Sequence, residues 1–175
     1  LTKDLKEFFS FILEINPSII VFATGNHEDT DNKAHAEEMF NLHFSFLNEL
    51  VWFFNKNKVL KCNVLFCSSL MANLPDRSYP SYAASKAGLN HYIRSLSIDK
   101  NSSINISGLI LGPVSQSPKL GFVSPEKVAI KIFNLSQKNA KGIYSYSFGI
   151  KLLSFTSMIF PFFIESILFN LKRNK

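Results

Sequence analysis

Asn63-Val64-Leu65-Phe66-Cys67-Ser68-Ser69, a loop holding Pro75 and Pro80, and then Tyr82-Ala83-Ala84-Ser85-Lys86-Ala87-Gly88-Leu89 decide how this chain folds. The first stretch is short, continuously apolar from Val64 through Cys67 and closed by hydroxyl residues, which is how a strand buried on both faces reads. The second opens a helix expected to run from about Tyr82 to Lys100, where Asn101-Ser102-Ser103 breaks it. The same alternation continues on either side. Upstream, Thr2 caps a helix from Lys3 to Ile15 with Leu5, Phe8, Phe9, Ile12 and Leu13 on one face, ended by Asn16-Pro17. A second buried strand, Ser18 to Ala23, stops at Thr24-Gly25, and a long helix covers Ala34 to Phe54. Downstream, a strand from Ile104 to Leu111 ends at Gly112-Pro113. Ser124-Pro125-Glu126 starts a helix, with serine as cap and proline in the first turn. Gly142 to Phe148 reads as a last strand. Strands alternating with helices imply an α/β architecture, a parallel sheet covered on both faces.

Composition narrows the function. The chain has 175 residues, 46% hydrophobic and 18% charged, which suits one globular domain. The net charge of +6 comes from scattered lysines, as in Asn55-Lys56-Asn57-Lys58, with no arginine-rich stripe, so no nucleic-acid partner is expected. The one basic cluster is Lys172-Arg173-Asn174-Lys175. Cys62 and Cys67 lie five apart, which on a strand points them to opposite faces. They can neither pair with each other nor make a metal site, so no metal is expected and a reducing, cytoplasmic location fits. No secretory leader pattern opens the chain, which begins at Leu1.

Tyr82 and Lys86, four apart, share one helical face. A phenol titrates near 10 and is a poor base at neutral pH, and a neighbouring ammonium favours the phenolate by roughly 1–3 pKa units. The pair can therefore move a proton to or from an alcohol or carbonyl oxygen. Such pairs also occur by chance on surface helices, and serines end many strands. What adds weight is Ser69, thirteen residues before Tyr82 at the carboxyl end of a buried strand, where ligands bind in open α/β sheets.

In this combination the chain resembles the short-chain dehydrogenases/reductases, in the short, single-domain branch, from its start to about Gly149. Phe66-Cys67-Ser68-Ser69 followed by Tyr82-Ala83-Ala84-Ser85-Lys86 is similar to that family's active-site stretch. Val21-Phe22-Ala23-Thr24-Gly25 falls where the family has its Asn-Asn-Ala-Gly strand end, with the asparagines replaced. Phe40-Asn41-Leu42 falls at its helix-borne asparagine, and Leu111-Gly112-Pro113-Val114 at its Pro-Gly segment beside the nicotinamide. The threonine that often follows has no clear equivalent, with Ser115 and Ser117 as the candidates to replace it.

The resemblance implies a Rossmann-like, doubly wound fold and an oxidoreductase that uses NAD or NADP on a small alcohol/carbonyl substrate. Tyr82 would be the acid/base and Ser69 would orient the substrate oxygen. Lys86 would hold the nicotinamide ribose and lower the phenol's pKa, and Asn41 would position a relay water. Ala23, Gly25, Tyr82, Lys86, Gly112, Pro113 and Val114 would touch the cofactor. Leu70, Met71, Leu74 and Phe122 make the expected substrate apolar. His27, His35, His43 and His91 receive no role; for His91 a surface or core position is the better reading.

The family's glycine-rich dinucleotide loop has no counterpart among the glycines at 25, 88, 108, 112, 121, 142 and 149. The expected fold is therefore partial, with the N-terminal strands missing. Residues 1–149 carry the catalytic tetrad, and residues 150–175 form an apolar helix with a basic end. From Leu152 to Phe169 that segment is apolar apart from Pro161, Glu165 and a few hydroxyl residues. It reads as peripheral membrane contact through residues 152–171, or as packing over the pocket or a subunit contact; a span is the weakest of these. A full-length chain is expected to form a homo-oligomer. Two other functions compete. A nucleotide-sugar epimerase or dehydratase shares Tyr-x-x-x-Lys, but its serine usually lies farther upstream. A non-catalytic remnant or interaction protein would follow from the absent loop.

Overall fold

The computed structural model describes residues 3–25, 33–57, 62–74, 78–98, 104–116, 122–164 and 166. Four parallel strands, β1 (Ile19–Phe22), β2 (Asn63–Ser69), β3 (Asn105–Leu111) and β4 (Gly142–Ser145), lie side by side in chain order. β1 pairs with β2 in the register Phe22 to Phe66, β2 with β3 as Ser69 to Leu111, and β3 with β4 as Ile110 to Ser145. A parallel pair needs a long crossover between its strands. Here the crossovers carry α2 (Lys33–Phe40) and α3 (Phe46–Asn57), then α4 (Pro80–Ile98), then α5 (Pro125–Gln137). α1 (Lys3–Ile15) precedes the sheet and α6 (Phe148–Ile159) follows it.

Alternation along the strands divides the core in two. Val64 and Phe66 of β2 and Ile106 of β3 point to the face covered by Phe9 and Ile12 of α1, Leu47, Leu50 and Phe54 of α3, and Leu89 and Ile93 of α4. Leu65 and Leu109 point the other way, against Leu135 of α5 and Ala140. Rings add specific packing on the first face: Phe22 stacks on Phe66 at 4.7 Å and Phe9 on Phe53 at 4.4 Å. The N-terminal sheet edge is tied to α5 by Asn63, whose Nδ2 donates to Ser136 O at 2.9 Å. The α/β architecture expected from the strand–helix alternation is thus the architecture observed.

Three departures concern the helices and the last strand. The helix expected over 34–54 contains one wider π-helical turn, Asn41–Ser45, between α2 and α3, where Phe46 N–H reaches back to Asn41 O. Met39, His43 and Leu47, spaced by four, are all buried. A wider turn keeps residues at that spacing on one face, where an ideal helix of 3.6 residues per turn would rotate them apart. β4 ends at Ser145 and not at Phe148, because Ser147 caps α6, its Oγ accepting from Ile150 N–H at 3.3 Å. The C-terminal helix stops at Ile159: Phe160 leaves helical geometry before Pro161, and a further turn follows at 161–164.

Candidate active site

The carboxyl ends of β1, β2 and β3 converge. Because Phe22 pairs with Phe66 and Ser69 with Leu111, the residues just past β1, the end of β2 and Gly112 share one edge of the sheet. α4 runs back beneath that edge and delivers Lys86 into it. Lys86 is 2% exposed, and its Nζ donates to Thr24 O at 2.8 Å and to Cys67 O at 2.9 Å. The segment just past β1 and strand β2 therefore each turn one carbonyl onto the ammonium. Burial pushes the Lys86 ammonium down to about 8, and the neighbouring Cys67 opposes that. Nζ also sits 5.7 Å from the centre of the Tyr82 ring.

Ser69 ends β2 and caps the short 3-10 turn Leu70–Ala72 by accepting from Met71 N–H at 3.2 Å. Its hydroxyl is also hydrogen-bonded to the Tyr82 phenol. Ser68, next in line, is buried with Oγ unpartnered among the described residues. The phenol of Tyr82 is pushed up from its ordinary value, first by burial; the Ser69 bond pulls it down and Cys67 adds a smaller upward push. This departs from the expected lowering by Lys86. The reason is geometric: the ammonium is spent on two carbonyls and lies over the ring face, while desolvation penalises the phenolate.

Gly25 forms the floor. Its φ is +138°, and a Cβ there would sit 3.2 Å from Lys86 Nζ and 3.2 Å from Tyr82 Cε2. A side chain would both strain the backbone and push the pair apart. After β3, the segment from Pro113 to Ser115 is clipped by Val123 N–H to Pro113 O and Ser115 N–H to Val123 O, both 3.0 Å. Gly112 faces α6, where a Cβ would meet Ile150 Cδ1 at 3.3 Å. Ala23, Gly25, Ser69, Tyr82, Lys86 and Gly112–Val114 thus lie along one edge of the sheet or on the helix beneath it. Ser117 lies outside the described residues.

Asn41 is not part of this cluster. Its side chain is exposed and accepts from Ser45 Oγ at 3.3 Å, and among the described residues it makes no bond to Lys86 or Tyr82. Two residues on, the π turn carries His43 into the interior. His43 is 1% exposed; its Nδ1 lies 3.0 Å from Ser85 Oγ and its Nε2 3.5 Å from Thr24 O, the carbonyl that also receives Lys86. Ser85 in turn donates to Tyr82 O at 2.8 Å. Burial, then the Lys86 charge, push the imidazole down to about 4, with the Thr24 bond opposing. His43 is a neutral histidine wedged behind the pair. Its spacing of four from both Met39 and Leu47 was the sequence signal for a buried position. His27 lies outside the described residues.

No family model matches the chain, and no curated protein matches it. Solved structures do. A 4-hydroxyisoleucine dehydrogenase complexed with NADH and succinate is 15% identical, with 84% of this chain and 76% of that one covered and a TM-score of 0.67. A short-chain dehydrogenase from Bacillus anthracis is 16% identical over 83% of this chain and 69% of that one, TM-score 0.69. A putative oxidoreductase from Escherichia coli is 12% identical over 86% and 72%, TM-score 0.69. With four parallel strands in chain order, helices on both faces and these structural neighbours, the chain has the fold of the short-chain dehydrogenases/reductases.

Proposed function

We propose that this chain carries the catalytic part of an NAD(P)-dependent oxidoreductase that interconverts an alcohol and a carbonyl. The observation that supports it most is the Ser69–Tyr82–Lys86 arrangement. A phenol held by a serine stands over a buried ammonium, at the carboxyl ends of parallel strands where open α/β sheets bind ligands. The NADH in the similar 4-hydroxyisoleucine dehydrogenase supports NAD or NADP as cofactor.

The residues present fit the nicotinamide half of such a cofactor. Gly25 leaves the space that a Cβ would fill against Lys86 and Tyr82, and Gly112–Val114 border the same edge. Lys86 uses two of its three donors on carbonyls, leaving one for a ribose hydroxyl. The pyrophosphate half needs backbone donors at a glycine-rich turn, which the residues 1–175 do not contain. A bound reduced nicotinamide would supply the hydride for carbonyl reduction.

The chain's own residues handle the proton. Ser69 and Tyr82 together grip the carbonyl oxygen. Burial keeps the phenol protonated at neutral pH, so Tyr82 stands ready as the acid. Once its proton has moved to the substrate oxygen, the phenolate is held by the Ser69 hydroxyl. In alcohol oxidation the same groups run in reverse. Asn41 enters only through solvent, as the holder of a water on the way to Lys86. Leu70, Met71 and Leu74 follow Ser69 directly and favour an apolar substrate.

The test is Tyr82→Phe in the complete gene product that carries these residues. Turnover of apolar ketones should fall about 100- to 10,000-fold while affinity for NADH or NADPH stays near that of the parent. Comparable turnover would remove Tyr82 from this role. Undetectable turnover in the parent would favour the non-catalytic reading.

A further inference from the structure

α6 is inverted. A surface helix normally turns its apolar stripe to the core and its polar residues to water. In α6 the two buried residues are Ser154 and Ser157. Ser157 Oγ donates to Ser154 O at 2.8 Å, and Ser154 Oγ has no partner among the described residues. The outward side carries Phe148, Leu152, Phe155, Met158 and Ile159, and the turn beyond adds Phe160, Phe162 and Phe163; each is at least half exposed, and Phe162 is 85% exposed. Spacings of four and three residues from Phe148 through Leu152 and Phe155 to Ile159 align them along one side of the helix. The helix itself is securely specified, with Ser147 as its cap. Lys151 is the single charged residue from Phe148 to Ile164.

Three facts identify what meets this face. First, α6 packs beside β4, at the opposite edge of the sheet from β1, so a segment that extended the sheet past β1 would not reach it. Second, no described helix is long and apolar enough to cross a membrane, and Pro161 interrupts the helical geometry after Ile159, so the apolar side of α6 suits the surface layer of a bilayer. Third, after Glu165 the remaining charges in the sequence are Lys172, Arg173 and Lys175, all basic, on a chain of net charge +6. A second copy would bring a like net charge of +6. An anionic bilayer offers an apolar layer beneath a negative surface.

We propose that α6 and the turn at 161–164 dock into the interfacial layer of an anionic phospholipid membrane, with the apolar outward side of α6 facing the bilayer and the chain's excess basic charge attracting the anionic headgroups. The contact is independent of the chemistry proposed above.

Co-sedimentation of the full chain with phosphatidylcholine vesicles, with and without phosphatidylglycerol, tests it. Each basic residue near an anionic surface contributes roughly fivefold, so omitting phosphatidylglycerol should weaken binding on the order of 100-fold. Lys172→Gln/Arg173→Gln/Lys175→Gln should reproduce that loss without touching α6. Phe155→Ser/Phe162→Ser, at two exposed positions, should abolish binding with an unchanged circular dichroism spectrum. Equal binding to both vesicle types, or none to either, overturns the proposal. So does a lipid-free dimer that the two serine substitutions dissociate, which would assign the face to a second copy.

Discussion

Lys86 should make the protein more stable as the solution becomes alkaline. In the unfolded chain the ammonium titrates at its ordinary 10.5, whereas in the fold burial lowers it to about 8. Below the folded value both states carry the charge, and the native state bears the desolvation penalty. Between the two values the unfolded state binds a proton that the native state does not, so stability rises with pH across that window. At about 1.36 kcal/mol per tenfold, the interval corresponds to about 3 kcal/mol. Other groups pull the opposite way. Burial raises the Cys62 thiol from 9.0 to about 11, and Cys67 and Tyr82 are also raised, so their native forms hold protons that the unfolded chain has lost. The whole-protein curve mixes these, and a difference isolates the lysine. Lys86→Met keeps the length and cannot ionise, and placing Cys67→Ser in both chains removes the thiol that couples to the ammonium. Urea unfolding followed by circular dichroism at several pH values measures each. The stability of the lysine chain minus that of the methionine chain should climb by about 3 kcal/mol from the folded to the unfolded pKa. The lost bonds to Thr24 O and Cys67 O add only a constant offset. A flat difference would mean that the ammonium is solvated and that the buried clasp does not exist.

His43 should give the mirror effect in acid. Its native value of about 4 lies below the ordinary 6.5, so stability present above 6.5 should be lost by about 3 kcal/mol as pH falls to the native value, and His43→Gln should flatten that limb. A His43 ring proton resonance titrating at its ordinary value would contradict the buried position. Gly25→Ala should cost about 1–3 kcal/mol, because a side chain is strained at φ +138° and crowds Lys86 and Tyr82; an unchanged urea midpoint would refute it.

Much of this was legible in the sequence because it rests on short-range chemistry. Within the runs Ser18–Ala23, Asn63–Cys67 and Ile104–Leu111, the stretches Ile19–Ala23, Val64–Cys67 and Leu109–Leu111 are continuously apolar, as a buried strand requires, and all three runs contain strands. Ser69, Tyr82 and Lys86 are fixed by a strand end and one helical turn, and they meet. The π turn was not legible, since periodicity assumes a constant rise per residue, and one added residue there turns Asn41 outward and His43 inward. The direction of the Tyr82 shift was not legible either: sequence names the ammonium neighbour but not the carbonyls that occupy it or the burial that outweighs it. For α6 the composition revealed an apolar helix, while which side met the protein depended on tertiary packing.

The central claim is that the edge formed by Gly25, Ser69, Tyr82, Lys86 and Gly112 receives a nicotinamide nucleotide. Titrating the chain with reduced nicotinamide mononucleotide, the half of the cofactor that this edge fits, tests it without requiring turnover. Amide proton–nitrogen correlation spectra should show saturable shifts at Gly25, Lys86 and Gly112, with affinity in the millimolar range expected of a few contacts, and Lys86→Met should abolish them. Shifts confined to other parts of the surface, or shifts unchanged in Lys86→Met, would contradict the account.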